Sequence, residues 1–214
     1  MIRQLKPWAY GPFEILLHAE LHYRVGEDFD RRIAMVGFDN AIEVAITTYL
    51  GLHPIQRGNR QYPNADVERW LKNYHTKVEF FFEECDTRQF KPAGKQDEIV
   101  WFHGVRNGQY HGGEATVPQK RQLDGVRAAA LEVFAVLFEV TDAEVQLDAH
   151  ISVMQQAPQP RTATGDRLLD DKYGLIDLCG QLEYSSQLLY AVDPNRYHDA
   201  IHNLENGEET EDPS

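Results

Sequence analysis

Cysteine is nearly absent from this 214-residue chain. Cys85 and Cys179 stand alone, without the paired spacing of a zinc site or the density of a disulfide scaffold. They suit reduced thiols in a cytoplasm. Also missing is any run near the roughly 18 apolar residues of a membrane span, and Met1–Tyr10 carries Arg3 and Lys6 but no apolar signal region. The expectation is a soluble, cytoplasmic protein with no membrane partner. Positive charge is scarce too, at 21 Lys and Arg against 34 Asp and Glu, a formal net charge of −13. Such a surface repels polyanions, which excludes a non-specific nucleic-acid coat and confines any bound nucleic acid to a local basic pocket. No internal repeat, Gly-rich phosphate loop, strand alternation or hairpin turn stands out.

What is present is a core. Hydrophobic residues make up 42% of the chain and aromatics 11%, enough for one ordinary domain plus an appendage. Apolar spacing of three and four predicts a first helix over Pro12–Arg24, through Phe13, Leu16, Leu17 and Leu21, and a second over Arg31–Leu50 that Gly51 and Pro54 stop. Pro54–Pro63 reads as a loop that carries the basic residues Arg57 and Arg60. One further helix is predicted over Val67–Glu84, through Val67, Trp70, Leu71, Tyr74, Val78, Phe81 and Phe82. A polar connection, Asp86–Lys95, leads to the next helix, which starts from the acidic pair Asp97–Glu98. Gln119–Val140 forms a long helix and Asp142–Met154 a shorter one. Gln155–Gly165 has a linker's composition, Asp166–Val192 holds one or two helices, and the acidic tail Asn206–Ser214 is expected to be disordered.

These elements predict an all-α, antiparallel up-and-down bundle over 1–154, a linker over 155–165, a helical C-terminal extension over 166–205 and a tail over 206–214.

The stretch richest in chemistry is Ile99–Gly113, I-V-W-F-H-G-V-R-N-G-Q-Y-H-G-G. Arg106 and His111 are its candidate catalytic pair. Five residues along an unbroken helix turn a side chain by about 500°, leaving the two roughly 140° apart. The glycines Gly108, Gly112 and Gly113 suggest that the helix stops near His111, and the two face one substrate only if it ends there or if a second chain completes the site. By residue type alone, the pair also fits a capped helix end bound to surface acids. His103 reads as structural. Asp39, Asn40 and Glu43 lie within about a turn of one another on the second helix and are candidate polar neighbours, with Glu43 placed to steer Arg106 or His111. Two His pairs, His18/His22 and His198/His202, share the i,i+4 spacing of metal ligands. Neither has a third ligand in sequence, so solvated polar faces are the reading, and neither metal nor cofactor is expected.

R-N-G-Q-Y-H, preceded by the F-D-N-A-I-E helix and followed by another long apolar helix, resembles the HEPN superfamily, whose signature is an Arg, a polar residue and then a His a few positions later. Here Arg106, Asn107 and His111 match it, with four residues between Arg and His. The resemblance covers about Phe13–Val140; the region after Gln155 has no such likeness. It implies a homodimer with two Arg/His pairs in a cleft between chains, acting as a metal-independent RNA endonuclease of a toxin or antiviral defence system, with an antitoxin or defence protein as a further partner. His111 would move the proton and Arg106 would stabilise charge on phosphorus. Asn107 would orient the phosphate or His111, Tyr110 would stack on a base, and Arg57, Arg60, Lys120 and Arg121 would line a positive cleft for RNA. The resemblance fits two other classes: a non-catalytic HEPN-like module for dimerisation or partner binding, and a helical accessory subunit in which the Arg–His spacing is accidental.

Overall fold

The computed structural model describes residues 5–111, 116–154 and 159–207, apart from the side chains of Tyr110 and His111. It is an all-helical bundle followed by a smaller C-terminal unit, the chain dividing at Met154/Gln155. The bundle's helices are α1 (Tyr10–Val25), α2 (Asp28–Gly51), α3 (Asn64–Leu71), α4 (Tyr74–Thr87), α5 (Gln96–His111), α6 (Lys120–Phe138) and α7 (Ala143–Met154).

The core helix is α2, which packs against α1, α6, α4 and α5. Ala34, Met35, Phe38, Ala41, Ile42, Ala45, Ile46 and Tyr49 are all buried on it. By length and composition alone α2 could cross a bilayer, with a mean hydropathy of 1.2 over its most apolar window. This differs from the sequence expectation that no such stretch exists. Here its apolar surface is covered by α1 and α6.

The α1–α2 turn is set by Gly26, whose φ of 75° ends α1 while its N–H returns to His22 O. Asp28 and Asp30 then occupy the first turn of α2, where negative charge suits the helix dipole. His22 Nδ1 lies 2.7 Å from Asp30 Oδ1, which gives that histidine a place in the turn. Further along, a Cβ on Gly37 would stand 2.8 Å from Ala19 Cβ, so the close crossing of α1 and α2 requires glycine there.

The predicted helix over Val67–Glu84 is two helices. Asn73, with extended backbone, caps α4: Thr76 N–H donates to Asn73 Oδ1 at 3.0 Å and Asn73 N–H donates to Thr76 Oγ1 at 3.2 Å. The apolar period runs across this break and conceals it.

Three buried carboxylates, Glu20, Asp39 and Glu84, tie the bundle together. Glu20 receives Arg24 Nε at 2.9 Å and Arg127 Nε at 2.6 Å, linking α1 to α6, and Arg127 reaches on to Glu144 of α7 at 2.8 Å. Glu84 receives Arg88 Nε at 2.6 Å, Arg60 Nε at 3.1 Å and the Tyr62 hydroxyl at 2.8 Å. Asp39 belongs to the site described below.

The C-terminal unit holds α8 (Ala163–Tyr173), strands β1 (Leu175–Leu178) and β2 (Gln181–Tyr184), α9 (Ser185–Val192) and α10 (Pro194–Asn206). The predicted linker ends early, because Thr162 caps α8 by accepting from Gly165 N–H at 3.0 Å. The hairpin corrects the expectation of helix alone and of no hairpin turn. Its strands pair antiparallel, with Leu175 opposite Tyr184 and Leu178 opposite Gln181. Cys179 and Gly180 both take positive φ, 55° and 92°, as a two-residue hairpin loop demands. Asp177 Oδ1 accepts from Gly180 N–H at 2.6 Å to close the turn. Leu169 and Tyr197 are the buried apolar residues of this unit among those described. Of the tail predicted over 206–214, residues 208–214 lie outside the described residues.

The two thiols sit in opposite environments. Cys85 is fully buried, and burial pushes its pKa up to about 12, whereas Cys179 is exposed at the hairpin tip. Thiolate is the reactive form. The folded protein is therefore expected to release one equivalent of chromophore with a thiol–disulfide reagent at pH 8, and two after unfolding. Cys179→Ser should abolish the fast equivalent; rapid titration of both thiols in the folded protein would contradict this placement.

Candidate active site

Asp39, one of the three buried carboxylates, lies where α2 meets α4 and α5. It is 1% exposed. His103 and Arg106 stand three residues apart on α5, a spacing that puts both on one helix face, and both reach this carboxylate. His103 Nδ1 is 2.9 Å from Asp39 Oδ2, and Arg106 Nε is 3.6 Å from the same oxygen. Arg106 also donates from Nη1 to Asn107 Oδ1 at 2.8 Å.

From α4, the Tyr74 ring stacks on the His103 imidazole, with centroids 3.7 Å apart and planes 12° apart. The buried Tyr74 hydroxyl faces Asp39 without a hydrogen bond of ordinary geometry. Burial raises the Tyr74 pKa far above the usual phenol range, and the Asp39 charge adds to the rise. Burial also raises the Asp39 pKa, against the opposing pull of His103 and Arg106. The result is an acid flanked by an imidazole, itself stacked on an aromatic ring, and by a guanidinium, with Asp39 holding both basic groups.

This arrangement revises several sequence assignments. Asp39 does neighbour Arg106. Asn40 is exposed on another face of α2. Glu43 binds Lys77 Nζ at 2.9 Å, an α2–α4 pair, and its described bonds include none to Arg106. Arg57 is 7% exposed, lies over the Tyr62 ring at 4.7 Å and donates to Leu50 O at 3.4 Å. Arg60 is turned toward buried Glu84. The loop expected to lend two arginines to a positive cleft instead turns both toward partners in its own bundle. Lys120 is exposed but held by Asp124 at 2.9 Å and the Tyr23 hydroxyl at 3.2 Å, and Arg121 is exposed beside it. None of these four basic residues has a described contact with the Asp39 cluster.

The helix α5 passes through Gly108 and runs to His111, the position near which the sequence places its end. The side chains of Tyr110 and His111, and residues 112–115, lie outside the described residues. His103, read as structural from sequence, and Tyr74, counted as core, both belong to the cluster. The spacing His103-x-x-Arg106 was the available signal for the first; Tyr74 left none, because it sits in the apolar period of its helix. Comparison with protein-family models, curated proteins and solved structures found no match to this chain.

Proposed function

We propose that this chain is a metal-independent RNA endonuclease of the HEPN type, working as a homodimer in a toxin or defence setting, with Arg106 and His111 as its catalytic residues. One observation supports this above others: Arg106 is engaged by a buried carboxylate, beside an imidazole, on a helix that continues to His111. A helix-capping arginine bound to surface acids would not need that buried partner.

In the proposed reaction the ribose O2′ attacks phosphorus, its proton passes to His111, and the P–O5′ bond breaks as the leaving oxygen takes up a proton. The products are a 2′,3′-cyclic phosphate and a 5′-hydroxyl. The planar, permanently charged Arg106 stabilises the extra negative charge on phosphorus, and Asp39 acts as a positioning residue for it. Positions 106 and 111 both lie within α5, about 140° apart around it, a spacing that a site completed by a second copy would accommodate.

A second reading, a non-catalytic HEPN-like module for dimerisation or partner binding, is favoured by Arg106 being engaged within its own chain, paired with Asp39 at 3.6 Å and donating to Asn107. Incubating the purified protein in EDTA with single-stranded RNA and with DNA of the same sequence separates the two. The nuclease reading expects RNA fragments and intact DNA; intact RNA, or equal cutting of both, overturns it.

A further inference from the structure

The C-terminal unit carries an apolar groove too open for the small core beneath it. Its volume is about 360 Å³, and Leu169, Tyr173, Ile176, Leu188, Leu189 and Val192 line it, contributed by α8, β1 and α9. Apart from buried Leu169, this lining is partly or largely open: Val192 is 84% exposed and Tyr173 47%. Leu175, Leu178, Leu182 and Tyr184 of the adjoining hairpin are exposed as well. A soluble unit with two buried apolar residues among those described and this much open apolar surface is the pattern of a docking site.

Charge indicates the occupant. Within 155–214 there are twelve Asp and Glu against four Lys and Arg. The groove runs on past Tyr173 and Leu189 to Arg196 and Asp199, with Asp171 and Lys172 exposed on α8. Charges along that stretch balance, Arg196 and Lys172 against Asp199 and Asp171, so the acidic surplus is that of the whole unit, eight Asp and Glu against four Lys and Arg among its described residues, and the sequence continues beyond Gly207 with Glu208, Glu209, Glu211 and Asp212. A second copy would set two strongly acidic units against each other, which like-charge repulsion opposes. A row of apolar side chains flanked by lysine or arginine meets both the groove and its charge. We infer that this groove captures an amphipathic, basic helix of a partner protein, with apolar side chains spaced three and four apart entering between α8, β1 and α9. This is independent of the nuclease proposal and holds whether or not the bundle cuts RNA.

The test is fluorescence anisotropy on the full chain with a labelled Leu/Lys amphipathic peptide of about four helical turns. Two other peptides accompany it: one with the same composition in scrambled order, and a Leu/Glu version. Saturable binding of the Leu/Lys peptide is expected, at least about tenfold weaker for the scrambled and Leu/Glu peptides. Val192→Lys and Ile176→Ser are each expected to weaken it about tenfold, a change on the scale of one buried aliphatic side chain. Both positions lie on the groove's exposed wall, so circular dichroism should report an unchanged fold. Asp199→Lys should weaken the Leu/Lys peptide and strengthen the Leu/Glu one. Absence of Leu/Lys binding, equal binding of the scrambled peptide, or indifference to all three substitutions overturns the inference. So does self-association of the protein that Val192→Lys dissolves, since that assigns the groove to a second copy.

Discussion

Glu84→Ala is expected to lower the stability of the bundle by about 3–5 kcal/mol, the usual cost of removing one partner from a buried ion pair. Glu84 is 2% exposed and receives Arg88, Arg60 and Tyr62, drawn from α4 itself and the connection before α3. Arg88 goes on to the Tyr49 hydroxyl at 2.7 Å and to the Val136 carbonyl, so α2, α4 and α6 share this node. Without the carboxylate, a largely buried guanidinium loses its counter-charge while its desolvation cost remains. Burial raises the Tyr62 hydroxyl's pKa far above the phenol range, so Tyr62 cannot supply the missing negative charge at ordinary pH. The measurement is the urea midpoint at unchanged slope. The comparison is Glu79→Ala, which breaks an exposed pair with Arg69 and is expected to cost less than about 1 kcal/mol. Equal losses for the two would show that Glu84 is not the node described.

Arg106→Ala is expected to slow RNA cleavage by about a hundred- to a thousandfold, the typical loss when one preorganised donor to a developing oxyanion is removed. His111→Ala should cost a similar or larger factor, within the range of about 10²–10⁴ for general acid–base catalysis. Arg106→Lys keeps the charge but not the planar fork, so it should recover only part of the rate. Asp39→Asn separates positioning from chemistry. It keeps a polar group near His103 and Arg106 but removes the charge that aims them, so the rate should fall while the substrate's KM changes little. If Arg106→Ala left the rate unchanged with the fold intact by circular dichroism, the assignment of catalysis to Arg106 would be wrong.

The long helices were legible because each buries one face for several turns. Phe13, Leu16 and Leu17 on α1 and Val126, Ala130, Val133 and Phe134 on α6 keep the 3.6-residue period that burial imposes. The break at Asn73 was not, since Tyr74 and Val78 continue the period and the cap uses Asn and Thr in place of the common Ser/Thr-to-Glu pattern. The hairpin was hidden for a different reason. All four residues of β1 are exposed, so no buried face writes an alternation into L-I-D-L, and Cys-Gly is an uncommon loop pair.

At the site, Asp39 was legible from sequence as one of three candidate polar neighbours of Arg106, but which of the three reaches it depends on how α2 packs against α5, and Glu43 turns to Lys77 instead. Arg57 and Arg60 could not be placed, because an arginine in a loop reads as solvent-exposed unless the buried acid it serves is known. Glu84 becomes that acid only once α4 packs against the bundle.

The central claim, RNA cleavage by 2′-hydroxyl attack with no metal, is tested most directly with a DNA oligonucleotide carrying a single ribonucleotide, incubated with the protein in EDTA and analysed by mass spectrometry. The account predicts one cut, immediately 3′ of the ribonucleotide, leaving a 2′,3′-cyclic phosphate and a 5′-hydroxyl. An intact oligonucleotide that leaves an all-RNA control cleaved, or a cut that leaves a 3′-hydroxyl and 5′-phosphate, would contradict it.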